Sequence, residues 1–203
     1  MSRFTGPRVK RLRALGTELP GLTPKKFEKR PYPPGQHGQA RKKLTEFAFR
    51  LQEKQKIRLN YGVTEKQLRH LVEEAKATKA ATGDKLIELL ERRLDNVVFR
   101  AGFARTIPGA RQLVNHGHIL VNGKAVDIAS YRVSKGEVIT IHERSKQMAS
   151  IAAAKDVADS FQTAWLEVNR AELKATVANL PDETSILFPL KTQLVVEYYS
   201  QRL

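Results

Sequence analysis

The chain has 203 residues, enough for one large domain or two small ones with a real core. It carries 36 Lys and Arg against 21 Asp and Glu, a net charge of +15, and no cysteine. This excludes disulfides and thiolate zinc sites, and no apolar run approaches the roughly 18 residues needed to span a bilayer. No apolar signal-peptide core follows Met1, so a cytoplasmic or organelle-interior protein is expected. The charge is uneven: residues 1–60 hold 16 basic and 4 acidic side chains, whereas residues 145–203 hold 6 and 7. A basic end of that strength needs a polyanion to neutralise it, and counterion release makes nucleic acid the favoured one over anionic membrane.

In chain order, Pro7 can start a short helix that Gly16 stops, crowded by Arg8, Lys10, Arg11 and Arg13, with Val9, Leu12 and Leu15 as a thin apolar edge. A helix this short is not stable alone, so packing or a ligand must hold it. Residues 17–43 form a long connection rich in proline and cations, containing Tyr32-Pro33-Pro34-Gly35-Gln36-His37-Gly38. Loops of this length are usually functional or disordered; Tyr32 offers a stacking ring, and Gln36 and His37 offer base-edge donors.

Thr45 is placed to cap a helix that Gly62 closes. Arg50, Lys54 and Arg58 recur on it at four-residue spacing, one basic stripe following the run Arg41-Lys42-Lys43, and are expected to track a phosphate backbone. Thr64-Glu65-Lys66-Gln67 is a capping box, opening a helix with Leu68, Leu71, Val72 and Ala75 on one face. Asp84 can cap a further helix whose positions Leu86, Leu90, Leu94, Val97 and Ala101 keep helical spacing up to Gly102. Another begins near Thr106, tolerates Pro108 in its first turn and closes at Gly117.

The period then changes. Ile119-Leu120-Val121 and Lys124-Ala125-Val126 flank Asn122-Gly123, a strong signal for a type I′ hairpin, and residues 137–141 read as a closing strand. Arg105, Arg111, Gln112, His116, His118, Asn122, Lys124, Tyr131 and Arg132 decorate this scaffold. They are cations, amides and rings suited to phosphates and bases, with no nucleophile–base pair among them. His116 and His118 lack the further ligands a metal site needs, and no glycine loop leads into Lys-Ser or Lys-Thr. No metal and no cofactor is expected. Beyond residue 141, residues 145–160 read as a helix, 164–168 as a strand, and 190–199 as a β-rich ending that adds to the sheet.

The run from Ala110 to Ile119 followed by Val121-Asn122-Gly123 resembles an RNA-binding module found in a small-subunit ribosomal protein, pseudouridine synthases, some tRNA synthetases and a small heat-shock protein. The opening Ser2-Arg3-Phe4-Thr5-Gly6-Pro7-Arg8, the Pro-Pro-Gly-Gln-His-Gly loop, residues 53–62 and the ending Val195-Val196-Glu197-Tyr198-Tyr199-Ser200 extend the resemblance nearly end to end. The whole resembles the bacterial-type family of small-subunit ribosomal protein four, cyanobacterial or plastid-like.

That resemblance implies an α+β fold: a helical N-terminal lobe plus a small module of two helices packed on a short twisted antiparallel or mixed sheet. The expected organisation is a basic extension (1–44), a helical lobe (45–91), the RNA-binding module (92–142) and a C-terminal helix and strands packing back on the body (143–203). It also implies a non-catalytic binder of small-subunit rRNA at a multi-helix junction of the 5′ domain, nucleating assembly and contributing to decoding accuracy. Expected partners are ribosomal proteins five and three, and mRNA near the path by which it enters. Bacterial cytoplasm and plastid stroma both suit such a protein. Some relatives carry an N-terminal metal-binding cysteine cluster; this chain lacks it, so no zinc is expected.

Arg3, Arg8, Lys10, Arg11, Arg13, Arg41, Lys42, Lys43, Arg50, Lys54 and Arg58 are expected to contact phosphates and set register. Arg111, Gln112, His116, His118, Asn122, Lys124, Tyr131 and Arg132 are expected to read the shape and exposed edges of folded RNA. An RNA-modifying enzyme is the alternative, since Arg93-Leu94-Asp95 resembles the Arg-Leu-Asp of pseudouridine synthases. There, however, the Asp lies in a large catalytic domain after the module. Here it lies inside the module, and only about sixty residues follow Ile141, fewer than such a domain needs. A helix-surface ion pair with a neighbouring Arg is the expected role of Asp95. A ribosome-associated RNA chaperone is a third reading.

Overall fold

The computed structural model of the protein describes residues 4–40, 43–155 and 163–200. The chain divides into two compact units, residues 1–86 with 186–203, and residues 87–185.

The first unit is helical. Helix α1 (Arg8–Leu15) starts after Pro7 and ends at Gly16, whose φ of 61° places it in the left-handed region. Packing holds this short helix: Leu12, Leu19, Leu22, Ile57 and Tyr61 are all buried, and the Asn60 side-chain oxygen accepts from the Gly21 N–H at 2.9 Å. The proline-rich connection is a series of hydrogen-bonded turns, including Arg30 N–H to the Phe27 carbonyl and Ala40 N–H to the His37 carbonyl. Helix α2 (Glu46–Asn60) is capped by the Thr45 hydroxyl, which accepts from the Ala48 N–H. Helix α3 (Glu65–Lys76) opens with both halves of the Thr64–Gln67 capping box formed.

Within the connection, a Cβ added to Gly38 would lie 1.9 Å from the Pro33 carbonyl oxygen. Backbone cannot yield there as a side-chain tip could. Gly38→Ala is therefore expected to destabilise this unit by about 1–3 kcal/mol, as overpacking does. The change should appear as a lower melting temperature and faster protease cleavage between residues 32 and 38.

The ending at residues 190–199, read as β-structure, is helix α8 (Thr192–Ser200). Val195, Tyr198 and Tyr199 are buried, and their spacing of three and four is that of one helix face. Burial of that face against α2 and α3 outweighs the β propensity of valine and tyrosine.

Helix α4 (Thr82–Glu91) contains the division between units. Asp84 lies in its first turn rather than at its cap. The single helix expected from Asp84 to Ala101 is two, α4 and α5 (Leu94–Arg100), separated at Arg92-Arg93. There the backbone turns to pair with another segment: Arg93 bridges Arg132 antiparallel, Leu94 N–H donates to the Tyr131 carbonyl at 2.8 Å, and Val133 N–H donates to the Arg92 carbonyl at 2.9 Å. The Asn96 side-chain amide donates to the Glu91 carbonyl at 3.0 Å and satisfies the end of α4. The apolar period runs through the break because Leu90, Leu94 and Val97 are all buried on either side of it.

Helix α6 (Ile107–Asn115) is capped by Thr106, which accepts from the Gly109 N–H, and Gly117 (φ 70°) turns the chain out of it. Strands β1 (Ile119–Val121) and β2 (Lys124–Ala125) form the hairpin, with positive φ at Asn122 (49°) and Gly123 (78°) as a type I′ turn requires. Strand β3 (Val138–Ile141) follows, then a 3₁₀ turn (Glu143–Ser145) and α7 (Ala149–Lys155), where one helix was expected. The remainder of that expected helix lies outside the described residues.

Strands β4 (Leu166–Asn169) and β5 (Lys174–Val177) complete an antiparallel five-stranded sheet of order β2-β1-β3-β5-β4. β5 was not expected; its signal, four residues with Ala175 and Val177 buried in alternation, is short. The Asn169 side chain accepts from the Ala171 and Glu172 N–H groups and fixes the turn before it.

Candidate nucleic-acid interface

In the helical unit the expected phosphate ligands fall into three groups. Lys10, Arg11 and Lys43 are exposed, the Arg11 guanidinium lying 5.5 Å from the Phe4 ring centroid. Arg8 and Arg13 are half-buried and act as ties. Arg8 donates to the Leu22 carbonyl at 3.4 Å, and the Arg13 Nε donates to the Arg30 and Tyr32 carbonyls, both at 3.1 Å. Arg13 also lies over the Tyr32 ring, 5.1 Å from its centroid. Gln36 and His37 are exposed. Arg3, Arg41 and Lys42 lie outside the described residues.

The stripe on α2, expected to track a phosphate backbone, is tied to side chains of the protein itself. Lys54 is buried, with Nζ 2.9 Å from Glu65 and 4.7 Å from the Tyr198 ring centroid. Arg50 donates its Nε to Glu197 at 2.9 Å, and Arg58 donates to the Gln55 side chain at 3.1 Å. A four-residue period marks a helix face without saying what covers it; here α8 and α3 do. Burial alone would raise the Glu65 carboxyl's pKa, but hydrogen bonds from Lys54 and Tyr199 and nearby cations outweigh it and lower it. Burial and that same carboxylate push the Tyr199 phenol far upward, so it is a fixed donor to Glu65 at 2.8 Å. The cations the sequence reading passed over are Lys25, Lys26, Lys29 and Arg30, all exposed in the proline-rich connection. Their signal was the two basic pairs themselves.

In the sheet-bearing unit, Arg105, Gln112, His116 and Lys124 are exposed. Arg111 is mostly buried: its Nε donates to Asp95 at 2.9 Å, while Arg93 holds the same carboxylate with bonds of 3.1 and 2.9 Å. Asp95 is completely buried, so its expected helix-surface ion pair is instead a core cluster of one carboxylate and two guanidinium groups. A second cluster lies nearby in sequence. Arg100 donates to both oxygens of the fully buried Glu91 at 2.9 and 2.7 Å and also to the Ser185 carbonyl.

Asn122 is exposed, yet its side-chain oxygen accepts from the Val138 N–H at 2.9 Å and ties the hairpin to β3. The Tyr131 hydroxyl donates to Glu137 at 2.8 Å, which raises its pKa, and Arg132 is half-buried at the bridge to Arg93. His118 contacts the Ser145 hydroxyl at 2.9 Å, and its ring lies 5.9 Å from that of His116. Burial lowers its pKa first, and the neighbouring His116, Arg144 and His142 lower it further. Arg144 and Lys135 are further exposed cations not singled out beforehand. A cavity of about 390 Å³ opens between α6, with the residues just before and after it, and α7, lined in part by Arg105, Gln112, His116 and His118.

Among the described residues no group of three or more His, Cys, Asp or Glu is placed to hold a metal ion, and no helix is long and apolar enough to cross a membrane. The arrangement suits binding of a polyanion by two sets of exposed cations.

Known protein families match the chain in two consecutive parts. Residues 3–91 match the family model described as the ribosomal protein S4/S9 N-terminal domain, and residues 92–139 match that of the S4 domain. The chain is 50% identical over 205 residues to the small ribosomal subunit protein uS4 of Methylobacillus flagellatus. It is 51% identical over 204 residues to that of Parasynechococcus marenigrum and 49% over 203 residues to that of Synechococcus elongatus. Each match spans all of both chains.

Proposed function

The chain belongs to the uS4 family of small ribosomal subunit proteins, and on that premise we propose that it binds 16S rRNA as a structural, non-catalytic constituent of the subunit. The observation that carries this reading is the end-to-end match at about half identity to proteins of that name. Buried and held by Arg93 and Arg111, Asp95 has no access to a nucleotide, which removes the one residue that invited an enzymatic reading.

The seat is a multi-helix junction of the rRNA 5′ domain, where the protein nucleates assembly. Lys10, Arg11 and Lys43, joined by Lys25, Lys26, Lys29 and Arg30, supply phosphate contacts from the helical unit. Arg105, Gln112, His116, His118 and Lys124 supply contacts from the other. Arg8, Arg13, Arg111 and Asn122 serve by shaping the surfaces that carry them, with Tyr32, Gln36 and His37 at the edge of the first. Neighbours in the subunit are ribosomal proteins five and three, near the path by which mRNA enters, in bacterial cytoplasm or plastid stroma.

The test is affinity for a transcript of the small-subunit rRNA 5′ domain against an unrelated structured RNA of equal length, across a salt series. A preference for the 5′ domain that persists as salt rises is the expected result. Equal and steeply salt-sensitive binding to both would overturn the reading.

A further inference from the structure

Resting on the rRNA-binding reading above, we propose that the cavity between α6 and α7 receives a single unpaired nucleobase of the bound RNA. Its walls are chemically divided. Leu113 and Phe103 close an apolar floor and the Met148 thioether lines one side. Arg105, Gln112 and the two imidazoles of His116 and His118 stand at the border. At about 390 Å³ it is within the range of small-ligand pockets, room enough for one base. No carboxylate lines it among the described residues, so nothing repels a nucleotide's phosphate.

Several features favour a base over a bare phosphate as the occupant. A phosphate site would converge cations on a polar cradle, whereas here an apolar floor with sulfur at its side offers a surface for a π face. The Gln112 amide presents both a donor and an acceptor to a base edge, whereas a phosphate, all acceptors, has no N–H or O–H to give the amide oxygen. The imidazole of His118, disfavoured as a cation by burial and by His116, Arg144 and His142, is suited to stacking and to donor–acceptor pairing. A base enters such a space only when it is out of a helix, so the cavity selects loops, bulges and junction nucleotides over duplex. This distinguishes it from the phosphate contacts of Lys124 and Lys10, which any RNA backbone satisfies.

Ala153 lies on α7, is exposed and lines the cavity, so a larger side chain there fills the space without entering the core. The full-length chain and Ala153→Trp are compared for binding to the 5′-domain transcript, with base-specific chemical probing of each complex. Gln112→Ala, also exposed, is run beside them, and melting temperatures check folding. Ala153→Trp is expected to weaken binding about tenfold. A single unpaired base, protected at its edge in the wild-type complex, is expected to become reactive again in both variants. Unchanged affinity and protection in both variants overturn the inference. So does weaker binding with no base regaining reactivity, which would mean that a phosphate or sugar occupies the cavity. If the wild-type chain shows no preference for the 5′ domain, the rRNA-binding reading itself falls, an outcome visible before any variant is made.

Discussion

Asp95→Ala is expected to lower folding stability by about 3–5 kcal/mol, the cost of leaving buried charge uncompensated. The carboxylate is wholly buried and receives both Arg93 and Arg111, and it also accepts from the Asn96 N–H at the start of α5. Removing it takes the shared carboxylate from two guanidinium groups, one of them 8% exposed and the other 14%, in a site built around a negative charge. Denaturant unfolding checks this: the midpoint should fall with little change in slope. Asp95→Asn should lie between wild type and Asp95→Ala, because the amide oxygen still accepts one bond while the charge is lost. A loss below about 1 kcal/mol for Asp95→Ala, the level of an exposed pair, would mean that water reaches the site. The same experiment bears on RNA binding. Arg111 is held in place by Asp95, so at temperatures where the variant stays folded its affinity for RNA should fall through displaced geometry rather than lost contact.

Replacing Lys10, Arg11, Lys25 and Lys29 together by Gln is expected to reduce the slope of log affinity against log salt by about 3. Affinity at low salt should fall roughly a hundredfold or more, for any RNA. All four are exposed in the helical unit. Lys54→Gln should behave in the opposite way. Buried against Glu65 and the Tyr198 ring, it neutralises no phosphate and displaces no counterion, so the salt slope should stay unchanged while the protein melts earlier. Because the Glu65 side chain is 47% exposed, the loss should be modest, about 1–2 kcal/mol. A slope that falls by about 1 in Lys54→Gln would mean that the basic stripe does track RNA.

The contrast between these two sets of cations shows where sequence reasoning reached its limit. Periodicity identified Arg50, Lys54 and Arg58 as one face of α2, and they do share a face. Whether that face met water depended on α8, which joins the chain more than a hundred residues later. Nothing local to α2 encodes that meeting.

Local chemistry determined a good deal by itself. The Thr64 capping box, the Thr45 and Thr106 caps, the glycine at the end of α6 and the Asn122-Gly123 turn all stand where short-range sterics and hydrogen bonding require them. The α+β class, the basic N-terminal end and the ribosomal family were legible for the same reason: each is carried by residues adjacent in sequence. Tertiary structure decided the rest. It broke the helix at Arg92-Arg93, because pairing with residues 129–133 satisfies the backbone there without moving the apolar face. It made residues 192–200 a helix, because burying Val195, Tyr198 and Tyr199 together outweighs their intrinsic preference for strands. It turned Asp95 from a surface residue into the centre of a charge cluster. In each case the deciding contact forms only when separate elements pack together, and burial is a property of that packing, not of the residue.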